Sequence, residues 1–294
     1  MRNIQIILCP SKWIKKFFLN LFLFFFITTF FSLAQENSKK SRTDSLNYSW
    51  ERFSVNLGGF ITGMNSDIAL GVEQLGLGIT INLEDALGLK TSMLALRGEA
   101  GYVFGKRKRS TFRFHYFGLF RNSSKVLESD IEIGDNIFPI GTEVNSRLNI
   151  SNFKVNYDFN FYMDKRVKLG FTVGLFIMPI NFSLTAMGFS EGSAYFVAPL
   201  PVLGIQSNFA ITPKIFLRQN IQILYLEISN FKGNILDFNA RIEYNVWKHI
   251  GFGLGINSHR MSISGVKDGE NLLDFDGSLK TGYTGLLFFA KYYF

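Results

Sequence analysis

The side chains that could do chemistry here are three histidines, some serines and a spread of carboxylates and basic groups. The one local pairing of a hydroxyl with an imidazole is Asn257-Ser258-His259-Arg260-Met261-Ser262. Hydrolysis by such a pair needs nucleophile and base on one face, within hydrogen-bond reach. On a strand, side chains alternate between faces. Ser258 and Ser262 lie an odd number of residues from His259 and therefore point away from it. His259 reads as a polar residue at the rim, His249 as part of a turn, and His115 as a base only if a site existed inside the fold. Glu128, Asp130, Glu132, Asp135 and Glu143 in the segment 122–147 supply hard oxygen ligands, but not in the order of a calcium loop. Glu84-Asp85 raises the same chemistry more weakly. Gly251-Phe-Gly-Leu-Gly255 has the glycines of a phosphate loop, yet no helix follows it. No catalytic residue, cofactor site or metal site is assigned.

The elements that must carry these residues are strands. Period two recurs along the chain and helical period does not. In 236–246, Leu236, Phe238, Ala240, Ile242, Tyr244 and Val246 share one face; Asp237, Asn239, Arg241, Glu243 and Asn245 share the other. The segments 150–161 and 111–121 repeat the pattern. These strands are longer than the usual five or six or so residues. Their apolar faces are heavily aromatic, and their polar faces carry charges of both signs. A closed transmembrane barrel explains all three features, with lipid outside, polar groups inside and every backbone group paired.

The expected fold is thus all-β, an antiparallel up-and-down transmembrane barrel of about ten strands, with eight to twelve as the range. The segments are roughly 52–63, 91–104, 110–121, 148–162, 167–180, 195–211, 215–228, 235–247, 250–264 and 280–294. Tight connections at 105–109, 163–166, 212–214 and 248–250 should be periplasmic. Longer ones at 64–90, 122–147, 181–194 and 265–279 should face outward. Residues 75–82 and 130–138 could extend strands or raise their number.

A barrel this narrow is filled by side chains rather than water. Buried charges are costly unless paired. The inward-facing Arg97, Glu99, Arg113, His115, Lys154, Asp158, Arg218, Asp237, Arg241 and Glu243 are therefore expected to form a charge network that closes the bore. Glu99 is expected near both His115 and Arg113.

The two ends of the chain speak to location. Residues 1–34 have the basic head, apolar run and small residues of a cleaved signal peptide, with cleavage expected after Ala34. Residues 35–50 are polar and without period, a flexible periplasmic lead-in, and 51–294 form the barrel domain. The only cysteine, Cys9, lies in the signal, so the mature chain has no thiol chemistry. Cleavage removes four of the 31 basic residues and none of the 23 acidic ones, leaving 27 against 23. That balance gives no reason to propose a nucleic-acid partner. The final strand places Phe288, Tyr292 and Phe294 on one face and resembles the terminal signal by which barrels are inserted.

Four stretches carry a wider resemblance: 81–89 (INLEDALGL), 97–110 (RGEAGYVFGKRKRS), 129–141 (SDIEIGDNIFPIG) and 276–285 (DGSLKTGYTG). In these the chain resembles a family of uncharacterised Gram-negative outer-membrane β-barrel proteins. The resemblance implies a barrel fold and the outer membrane, and no activity. The expected function is non-enzymatic: a structural or surface-interaction barrel, or a narrow conduit for small solutes. The alternative is a lipid-modifying enzyme acting on lipopolysaccharide or phospholipid. Expected partners are outer-membrane lipid and lipopolysaccharide, and the barrel assembly machinery during insertion.

Overall fold

A computed structural model describes residues 50–70, 81–133, 136–187, 192–228, 231–265 and 277–294. The expected signal peptide, nearly all of the lead-in, Asp135, and parts of the segments 64–90, 181–194 and 265–279 lie outside the described residues.

Ten antiparallel strands follow one another around a closed barrel. They are β1 (Phe53–Leu70), β2 (Ser92–Phe104), β3 (Ser110–Val126), β4 (Glu143–Met163), β5 (Val167–Ala186), β6 (Gly192–Ala210), β7 (Ile215–Ile228), β8 (Phe231–Asn245), β9 (Ile250–Gly265) and β10 (Gly277–Tyr293). Closure is the pairing of β1 with β10, from Ser54 opposite Tyr293 to Leu70 opposite Gly277. The chain entry, the chain exit and the four tight turns share one end, the turn end. The longer connections leave from the other, the loop end.

Most strands run further toward the loop end than their alternation suggested. β4 begins at Glu143 and β5 continues to Ala186, and the two stay paired to Val144 opposite Ala186. The described parts of the two ambiguous segments do not lengthen the run of ten barrel strands. Ile81–Asn82 pairs with Ile68 and Asp67 of β1, above the point where β2 ends. Ile131–Ile133 and Asn136–Phe138 form a separate small hairpin.

Outward rows are apolar and exposed, among them Leu94, Leu96, Phe112, Phe120, Phe171, Leu203 and Leu254. A continuous apolar exterior of this extent calls for an apolar solvent. The inward rows divide in two. Counted from the turn end, β4 presents Asn160, Asp158, Asn156, Lys154 and Asn152, then Ile150 and Leu148. β7 passes from Arg218, Asn220 and Gln222 to Leu224 and Leu226, and β5 from Lys168 and Thr172 to Phe176, Met178, Ile180, Phe182 and Leu184. The turn-end half of the bore is polar. The loop-end half is a buried apolar core.

A five-residue helix, α1 (Leu83–Leu87), adds to that core: Leu83, Leu87 and Leu89 are buried with it. Asn82 caps its first turn, accepting from the Asp85 backbone N–H at 2.9 Å. Gly88 ends it in the left-handed region (φ 67°), which a side chain would disfavour. This segment was expected to be an outward loop.

The wall is unevenly stitched. β5 and β6 pair without a break from Val167 opposite Phe209 to Leu184 opposite Gly192. β6 and β7 pair only from Ala210 opposite Phe216 to Leu203 opposite Ile223. The next positions of the same backbone orientation on β6 are Pro201 and Pro199. Proline has no N–H to donate. Since the β5–β6 ladder passes both prolines intact, their nitrogens face β7, where the ladder stops. Pro179 acts likewise on the β4–β5 ladder, which skips from Ile150 to Phe153.

Candidate functional site

The bore network is built from inward positions on nine strands, β2 to β10. The β2–β3 register sets Glu99 opposite His115 and Gly101 opposite Arg113. His115 Nδ1 lies 3.2 Å from Glu99 Oε2. Arg113 lines the same cavity as Glu99 but directs its hydrogen bonds elsewhere. It donates from Nε (2.6 Å) and Nη2 (2.7 Å) to both oxygens of Asp158 and from Nη2 to Gln206 at 2.9 Å. The reason is the ladder on its other side, where Asp158 sits beside it opposite Thr111. Thr172 also donates to Asp158, at 2.6 Å.

Glu99 finds its main partner across the bore. Arg241 donates to both its oxygens, at 2.5 and 2.8 Å. The Arg241 Nε lies 2.9 Å from Glu243. Glu243 in turn accepts from Lys291 at 2.6 Å and approaches Arg218 Nε at 2.9 Å. Arg218 and Lys291 both donate to Glu51, just before β1. Burial alone would raise the Glu51 carboxyl, but the Arg218 and Lys291 charges outweigh it and hold the group well below the usual carboxylate range.

A second cluster lies nearer the middle. Lys154 donates to Asp237 at 2.8 Å and Gln222 at 3.0 Å, and its ammonium sits 4.2 Å from the centre of the Phe176 ring. His259 Nδ1 is 3.1 Å from the other Asp237 oxygen. Arg97 donates to Asn257 at 2.8 Å and lies over Phe60 and Phe117. All ten residues named from the sequence thus line the bore, each with a charged or polar neighbour. Bidentate guanidinium–carboxylate pairs are the geometry that repays desolvation best.

The sequence reading missed Glu51, Lys291, Lys168 and the pair Glu84–Arg121. Lys291 was legible, because it alternates with Tyr292 in the last strand and must face inward. Glu84 was not. It lies in α1, accepts from the Ser66 backbone N–H at 2.8 Å and pairs with Arg121, which also donates to the Ser66 hydroxyl at 2.7 Å.

His259 with Asp237 has the makings of a base and its orienting acid, but among the described residues no serine, threonine or cysteine side chain hydrogen-bonds to the ring. The ring is fully buried and stacks on Tyr283, with centroids 4.9 Å apart. Ser258 bonds Thr284 at 2.9 Å on the outer face. In the acidic segment, Glu128 pairs with Lys125 and Asp130 accepts from the Ile140 backbone N–H. Among the described residues, no three His, Cys, Asp or Glu side chains cluster as metal ligands would. The glycines of 251–255 lie inside β9. A Cβ on Gly253 would fall 2.2 Å from the Phe289 ring, so this glycine makes room for a neighbour. Phe288, Tyr292 and Phe294 are exposed on the outer surface.

No family model matches the chain. No curated protein matches it in sequence. Among solved structures it is similar to the outer membrane protease OmpT from Escherichia coli, at TM-score 0.51 and 11% identity, covering 86% of this chain and 100% of that one. It is also similar to Ail of Yersinia pestis, at TM-score 0.37 and 8% identity, covering 81% and 99%. The toluene transporter TodX of Pseudomonas putida follows at TM-score 0.35 and 7% identity, covering 84% and 90%. At such identities the OmpT likeness speaks for the fold alone: this chain is a closed antiparallel barrel of the outer-membrane type.

Proposed function

We propose that the protein is a non-enzymatic barrel of the outer membrane, exported by a signal peptide cleaved after Ala34, with its turn end in the periplasm. It acts as a structural or surface-interaction scaffold and does not conduct solutes along its axis. The observation that carries this reading is the filled bore. Paired charges cross its turn-end half, an apolar core occupies the loop-end half, and α1 packs into that core. A strand crosses a bilayer in about 9–11 residues. β4 has 21 residues and β5 has 20, so a paired collar stands well beyond the hydrocarbon at the loop end.

Lipid and lipopolysaccharide would contact the apolar exterior, and the barrel assembly machinery would engage the last strand through Phe288, Tyr292 and Phe294. No nucleic-acid partner is proposed. Planar-bilayer recording of the refolded mature protein tests the reading. Small or absent conductance is expected, and large stable steps would overturn it.

A further inference from the structure

The strongest unassigned feature is a cavity of about 50 Å³ at the turn end of the bore. One water needs roughly 10–15 Å³ on this measure, so the space suits a few waters or one small anion. Its lining combines the donors Arg113, Lys168, Arg218 and Arg241 with the carboxylates Glu51, Glu99 and Asp158, which the guanidinium groups already pair.

Lys168 sets the cavity apart. The residue is only 5% exposed. The other cations of this cluster are committed: Arg113 to Asp158, Arg241 to Glu99 and Glu243, Arg218 and Lys291 to Glu51 and Glu243. Among the described residues, the Lys168 ammonium has no hydrogen-bond or ion-pair partner, and it lies 4.5 Å from the centre of the Trp50 ring. Five cationic heads therefore meet four carboxylates. A buried ammonium without a counter-charge is costly. The surroundings add to the imbalance. The tight turns at this end carry Lys106, Arg107, Lys108, Arg109, Lys165, Arg166, Lys214 and Lys248, with Asp164 as their one acid. Such a rim raises the local concentration of anions at the mouth.

We propose that this cavity is a binding site for one small monovalent anion, of halide or formate size, held by Lys168 with the Arg113, Arg218 and Arg241 guanidinium edges. The competing arrangement is a water bridge from Lys168 to Glu51 Oε2, which has no hydrogen-bond partner of its own. The two differ in their response to added anion. A ligand that binds only the folded state stabilises it by mass action.

The test uses the refolded mature protein in detergent, titrated at constant ionic strength with chloride, formate or gluconate, the last too large for the cavity. Chloride and formate should raise the thermal unfolding midpoint saturably, and gluconate should not. In Lys168→Met the chloride response should vanish while the barrel still folds; Lys168→Arg should keep it. Equal response to all three salts, no response, or an unchanged response in Lys168→Met would overturn the site. Should Lys168→Met not fold, iodide quenching of Trp50 in a Trp247→Phe background decides: saturable quenching that chloride competes away supports the site, and linear quenching refutes it. None of these outcomes depends on whether the bore conducts.

Discussion

At the scale of single residues, energetics turn on which buried charges share a partner. Asp237 holds both Lys154 and His259. Removing it leaves an ammonium buried against Phe176 and Gln222. Breaking a buried pair from one side costs about 3–5 kcal/mol, whereas replacing both members by apolar groups costs far less. Asp237→Ala should therefore lower unfolding stability by about that amount, and Lys154→Met with Asp237→Leu should recover most of it, as read by urea unfolding in detergent. Glu51 makes a pH prediction. Its carboxyl is held below its ordinary value in the fold, so its stabilisation is fully present above the unfolded pKa of about 4.3 and is lost as pH falls below it. Glu51→Gln should destabilise the barrel at neutral pH, and the gap to the parent should close as the medium is acidified. A gap independent of pH would show that Glu51 acts through packing alone.

At the scale of elements, the seam between β6 and β7 is the informative place. The backbone of 224–228 pairs with β8 but has no ladder on its β6 side, since Pro201 and Pro199 cannot donate there. Amides in unprotected segments exchange through local opening rather than global unfolding. Hydrogen exchange of 192–202 and 224–228 should thus be faster than that of 203–210 and 216–222. Replacing both prolines with threonine restores two donors, and exchange at 224–228 should slow. Unchanged exchange would mean the strands are splayed for a reason other than proline.

At the scale of the whole molecule, the described bore is filled by layers in series: the charge network, the apolar core and α1. Series barriers predict that removing one does not open the path. Replacing residues 82–89 with a glycine–serine linker should leave bilayer conductance as low as in the parent. A conducting variant would locate the entire closure in α1. The same closed wall predicts that folded protein migrates differently from boiled protein in detergent gels.

How much of this was legible in the sequence follows from where hydrophobicity alternates. On 236–246 and 150–161 the two faces differ in polarity, so strand, face and inward charges all follow from residue order. On 175–184, Leu175-Phe-Ile-Met-Pro-Ile-Asn-Phe-Ser-Leu184, lipid lies on one side and an apolar core on the other. Both faces are greasy in its first part, the period fades, and nothing in the residue types announces an apolar upper bore. The burial of α1 was hidden for a similar reason: Leu83, Leu87 and Leu89 are too few and too local to signal that a loop turns inward.

The sequence by itself determined the strand class, a count of about ten segments, the inward side of the ten charged or titratable residues singled out and the end at which the tight turns gather, because each depends on spacing along one chain. Only the tertiary structure decided that Glu99 pairs with Arg241 across the bore, that Lys291 and Glu51 join the network, and that Lys168 lines a cavity with no ion-pair partner among the described residues. Those outcomes depend on which strands lie across the bore from one another, and that distance is set by closure of the sheet, a property no local stretch of residues contains.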